Sequence, residues 1–163
     1  MTDERLGDEL FAAIERVPAG GGVLFRHDGA PDRAALGQRV ATKARECGLA
    51  LAVAGDVALA DSLDADMVHR PQGETRRPVS LPVHNAAEAE RANSRGAVMV
   101  LVSPIFATRS HADAKGLGAE AAGALARLCD APAIALGGMN AERFEMLDRD
   151  LFAGWAGIDA FLR

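Results

Sequence analysis

The chain has no apolar stretch approaching the length needed to cross a bilayer. Its N-terminus, Met1-Thr2-Asp3-Glu4, lacks the positive segment and apolar run of a secretory leader. Both absences predict a cytoplasmic protein without membrane partners. Cysteine is scarce: Cys47 and Cys129 each fall late in a predicted helix, without metal-type spacing, and read as buried free thiols. Positive charge is in deficit, with 18 Lys+Arg against 23 Asp+Glu, a net charge of -5 and a pI near 5.3. That balance argues against a nucleic-acid partner while leaving room for a local basic pocket. No GxGxxG follows an early strand and no GxxxxGK[ST] occurs, so the common nucleotide-binding open sheets lose support.

What is present is a chain of 163 residues, 49% hydrophobic and 25% charged, which is sufficient for one domain with a substantial core. Helical spacing of Leu6, Leu10, Phe11 and Ile14, with Thr2 or Asp3 to cap, predicts a helix over 4–17. Further helices are expected over 32–47, 57–63, after Asn85, over 117–129 and after Asn140. Asn85 has Glu88 three residues on, in capping-box position. Strands are expected at 23–26, 49–53, 66–69, 79–83, 98–102, 133–136 and 152–158. Most of these runs are continuously apolar instead of alternating, the mark of strands buried on both faces.

The stretch 98–111, Val-Met-Val-Leu-Val followed by Ser103-Pro104-Ile105-Phe106-Ala107-Thr108-Arg109-Ser110-His111, is the most informative. An apolar strand ends in a loop bearing hydroxyls and an imidazole. The strand at 133–136 runs likewise into Gly137-Gly138-Met139-Asn140, and that at 79–83 into His84-Asn85. Polar chemistry at the carboxyl ends of buried strands, each followed by a helix, is how a parallel α/β protein builds a site for an anion. A glycine pair also serves plain tight turns, and His84 could be a structural residue or a proton shuttle. Alternating strands and helices fit either an open doubly wound sheet or a (β/α) barrel; with the nucleotide fingerprints missing, the barrel is preferred. Seven strands are found where such a barrel has eight, and Met1-Thr2-Asp3 reads as the tail of the one not found. The expectation is an α/β TIM-type (β/α)8 barrel over 1–163, its first strand missing or truncated. The edge so exposed would be closed by a partner chain, giving a homo-oligomer, or by residues N-terminal to Met1.

His84-Asn85 through Glu88, the 103–111 loop, Leu117-Gly118 and Ala135-Leu136-Gly137-Gly138-Met139 together resemble the thiamine phosphate synthase and thiazole tautomerase superfamily. The resemblance implies a (β/α)8 barrel. It also implies phosphorylated pyrimidine and thiazole substrates, joined with release of pyrophosphate in the Mg2+-dependent synthases or, for the thiazole alone, isomerised in the metal-free tautomerases. A barrel that merely binds a phosphate ligand is a third alternative. The resemblance casts Thr108, Ser110 and His111 as diphosphate ligands, histidine replacing the family's lysine. Ser103 falls in the same substrate loop, and Gly137 and Gly138 offer backbone N–H groups to the thiazole phosphate. Arg26 matches a catalytic arginine, with Leu24 and Asp28 at the flanking glutamine and lysine positions. His84 matches the tautomerases' catalytic histidine. Asp56, displaced by one position, and Glu74 correspond to the Mg2+ carboxylates. Pro82 and Asp159 stand where the family has serines.

Overall fold

A computed structural model describes residues 1–107 and 116–162. The chain gathers into two compact units, Met1–Pro78 with the C-terminal residues from Ile158, and Val79–Gly157. Both are parallel α/β structures.

In the first unit β1 (Gly22–Phe25), β2 (Ala50–Ala54) and β3 (Met67–His69) are neighbours in that order, all parallel. A 3-10 segment, Glu4–Glu9, leads into α1 (Leu10–Glu15). The single helix expected over 4–17 is broken because Gly7 takes a φ of 45°. Asp3 caps this segment, accepting from the N–H of Arg5. The helices α2 (Arg33–Glu46) and α3 (Val57–Ser62) pack against the strands with small faces. Val40, Ala41 and Ala44 of α2 are fully buried, and Gly37 rests against the ring of Phe25. Phe25, Val53 and Val68, one from each strand, are inaccessible and form the middle of this core. Thr2 donates its N–H to Leu24 O at 2.8 Å and accepts from the N–H of Arg26 on its hydroxyl at 2.9 Å, so residues 1–3 follow β1 as the end of a strand would.

In the second unit β4 (Val79–Val83), β5 (Met99–Val102), β6 (Ala133–Leu136) and β7 (Gly154–Ala156) are again parallel and in order. Among the described residues three helices cover them: α4 (Ala86–Ser94), α5 (Ala119–Arg127) and α6 (Ala141–Phe144). The core joins Val83, Val100, Val102 and Ile105 to alanines of α4 and α5 and to Met139, Leu147 and Phe152. The sequence bounds for β4 and for 133–136 match those observed. Gly118, at φ 80°, delays α5 to Ala119. α6 ends at Phe144, so Leu147 reaches the core from a turn instead of a helix. The last strand is shorter than the expected 152–158, and Phe152 packs from outside it.

Register is what positions the chemistry. Phe25 pairs with Val53 and Ala54 with His69, so Arg26, Gly55 and Arg70 follow their strands at one edge of the first unit. Val83 pairs with Val102 and Val102 with Ala135, which brings His84, Ser103 and the start of the Gly137 turn to one edge of the second.

Candidate functional site

In the second unit the loop after β5 folds over the end of β6. Ile105 donates its N–H to Leu136 O at 2.9 Å, and Phe106 to Gly137 O at 3.0 Å. The start of α5 docks on the same loop, Leu117 N–H to Pro104 O and Gly118 N–H to Ile105 O, both at 2.9 Å. This packing explains the glycine pair. A Cβ on Gly137 would stand 2.7 Å from Pro104 Cα, and one on Gly138 2.5 Å from Ala107 O; both residues also have positive φ, 97° and 62°. Neither position admits a side chain.

His84 follows β4 and is fixed from both sides. Its N–H donates to Glu88 Oε2 at 2.7 Å, while Glu88 N–H donates to the capping Asn85. Its Nδ1 lies 2.6 Å from the Ser103 carbonyl oxygen and 3.3 Å from the Ser103 hydroxyl. A carbonyl only accepts, so Nδ1 carries a proton and donates it to Ser103 O. Ser103 itself is buried and donates its N–H to Val83 O. The structure thus joins His84 to Ser103 directly, and the Ser103 loop to Gly137 and Gly138. Thr108, Ser110 and His111 lie outside the described residues.

A residue that sequence reasoning passed over completes this edge. Arg143 is held by the Gly138 carbonyl, which accepts from Nη1, and its guanidinium carbon stands 5.4 Å from the centre of the Phe106 ring. Asn140 caps the turn by accepting from Arg143 N–H at 2.8 Å. No sequence signal marks it, because its partners are a backbone oxygen and a ring from another loop.

The first unit treats its charges differently. Arg26 donates to Asp3 Oδ2 at 2.8 Å, and Arg5 donates to the other oxygen at 2.7 Å. Partial burial pushes the Asp3 carboxyl up, but the hydrogen bonds from Arg5 and Arg26 outweigh it and hold the group below its ordinary value. Arg33 lies over the Phe25 ring, donates to Ala54 O at 2.7 Å, and pairs with Asp56 at 3.2 Å and Asp28 at 3.3 Å. Beside it opens a cleft of about 640 Å³, lined also by Gly55, Arg70 and Gln72. Asp56 has its other oxygen on the N–H of Leu59, capping α3. Glu74 is exposed on the loop after β3 and makes no ion pair among the described residues. No group of three or more His, Cys, Asp and Glu side chains among the described residues is placed to hold a metal ion. With one Asp56 oxygen on a cap and the other on a guanidinium, these residues do not fit a Mg2+ site.

The model of the family described as thiamine monophosphate synthase matches residues 1–161. A thiamine-phosphate synthase of Syntrophomonas wolfei is 28% identical over 180 aligned positions, covering 99% of this chain and 86% of the relative. That of a Roseiflexus species is 32% identical, over 99% of this chain and 76% of the relative. Among solved structures, a thiamine phosphate pyrophosphorylase from Pyrococcus furiosus shares the fold, with a TM-score of 0.80 over 97% of this chain and 83% of the other, at 24% identity.

Proposed function

Because the chain belongs to the thiamine monophosphate synthase family, we propose that it is a transferase of thiamine biosynthesis, joining hydroxymethylpyrimidine diphosphate to thiazole phosphate. The thiazole nitrogen forms a C–N bond to the pyrimidine methylene carbon as the C–O bond to the diphosphate breaks, and pyrophosphate leaves with the electron pair. No covalent nucleophile is needed. The protein's work is to hold two reactants in line and to meet developing negative charge.

The observation that carries this reading is the shared edge of β4, β5 and β6, where His84, Ser103 and the Gly137-Gly138 turn are locked by hydrogen bonds into one rigid rim. The resemblance gives the backbone N–H groups of Gly137 and Gly138 to the thiazole phosphate, and Thr108, Ser110 and His111 to the diphosphate. The domain is then a TIM-type barrel over 1–163, cytoplasmic, and able to form a homo-oligomer. The family's Mg2+ finds no fitting carboxylate pair in Asp56 and Glu74.

The test is direct: supply both substrates with and without Mg2+ and measure thiamine phosphate. Formation of the product supports the reading; no product under either condition overturns it. One observation favours the metal-free tautomerase as a second reading, namely that His84 is held at its strand end by the hydrogen bond from Nδ1 to the Ser103 carbonyl. His84→Asn should spare the synthase reaction and slow any tautomerisation by on the order of 10²–10⁴-fold.

A further inference from the structure

The glycine pair is explained by packing alone, which leaves open what charge at this rim would hold a dianion. We propose that Arg143 is the residue that grips the phosphate of the thiazole substrate and makes the rim select phosphorylated over unphosphorylated thiazole. This rests on the synthase reading for the identity of the substrate.

Three features point to Arg143. First, it is placed beside the turn: a Cβ on Gly138 would lie 3.1 Å from its Nη1. Second, it is pre-organised. The Gly138 carbonyl takes one edge of the guanidinium and the Phe106 ring supports a face, so binding costs little side-chain ordering. A planar fork with five donors keeps others for a bidentate phosphate. Third, its charge is not cancelled. Arg26 and Arg33, also beside strand ends, pair with Asp3 and with Asp28 and Asp56; Arg143 makes no ion pair among the described residues. A carbonyl and an aromatic face hold a guanidinium in place without neutralising it. That arrangement suits an anion, and it suits a phosphate better than a neutral hydroxyl.

The experiment measures equilibrium binding of thiazole phosphate, inorganic phosphate and the unphosphorylated thiazole alcohol to the whole protein, its Arg143→Gln variant and its Arg143→Lys variant. Arg143 is exposed, so both variants should fold, and a melting curve checks this. The expected result is binding of both phosphates weakened at least about tenfold by Arg143→Gln, the scale of a lost charge-assisted hydrogen bond. Arg143→Lys should fall between, and binding of the alcohol should not change. Equal phosphate affinity in parent and Arg143→Gln overturns the proposal, as does a parent that binds neither phosphate. A parent that binds phosphate through Arg143 but makes no thiamine phosphate leaves the proposal standing and removes the synthase reading instead.

Discussion

The two units use the same scaffold, parallel strands in register with polar residues at their carboxyl ends, yet Arg26 and Arg33 of the first and Arg143 of the second are held by different kinds of partner. In the first, Asp3 takes Arg26 and Arg5, while Asp28 and Asp56 take Arg33. In the second, Arg143 is positioned by a carbonyl and a ring, and the histidine at the strand end is fixed through its Nδ1. An arginine paired with carboxylates stabilises its own surroundings; one held by neutral groups remains able to meet an anion. The difference teaches that an arginine's position at a strand end does not make it a ligand site. What lies against it decides.

The largest expected effect tests whether the first unit is chiefly structural. Phe25 is wholly buried, packs beneath Gly37, stacks on His27 at 5.4 Å and supports Arg33. Phe25→Ala should cost about 3–5 kcal/mol, the usual loss for a buried aromatic, read by urea unfolding. A loss below about 1 kcal/mol would show that this core collapses to fill the space. Next comes Gly138→Val. A branched side chain at φ 62° meets Ala107 O, so the second unit's rim must distort at a cost of about 1–3 kcal/mol. Phosphate binding should fall with it, whereas unchanged binding would detach the turn from the site.

Asp56→Asn attacks the contrast itself. Asparagine can still cap α3, but Arg33 loses one of its two carboxylates, and because Asp56 is partly exposed the stability change should stay under about 1 kcal/mol. If pairing is what silences Arg33, this variant gains a weak phosphate site in the cleft beside Gly55; if it gains none, cancellation by carboxylates is not the reason.

The smallest effect concerns pH. Burial, opposed by Glu4 and Asp3, holds the His27 imidazole below its ordinary value. Below about pH 6.5, the ordinary histidine value, the unfolded chain therefore takes up a proton that the folded one resists, and stability declines as pH falls. Above that range the contribution is present in full. His27→Gln should remove this part of the acid dependence, and an unchanged slope would show that His27 accommodates its proton when folded.

Much of the fold was legible because doubly buried strands must be apolar throughout and their ends must be polar. Val79–Val83 and Ala133–Leu136 announced themselves, and Asn85 and Asn140 marked the helix starts by the hydrogen bonds their side chains make. The charge pattern was not legible. Arg26 reads as a free cation in sequence, and only folding brings Asp3, 23 residues away, against it. Asp56 reads as a metal carboxylate until its two oxygens are seen on Leu59 and Arg33. Arg143 was missed for the complementary reason: no motif marks an arginine whose partners are a backbone oxygen and a ring contributed by another loop.

The central claim is that anions bind at the second unit's rim and not at the first unit's cleft. A titration of the whole protein with inorganic phosphate, followed by the backbone amide signals of Gly137, Gly138, Gly55 and Gln72, tests it most directly. The account predicts that Gly137 and Gly138 shift and saturate together while Gly55 and Gln72 stay in place. Saturating shifts at Gly55 and Gln72, with the glycine pair unmoved, would contradict it.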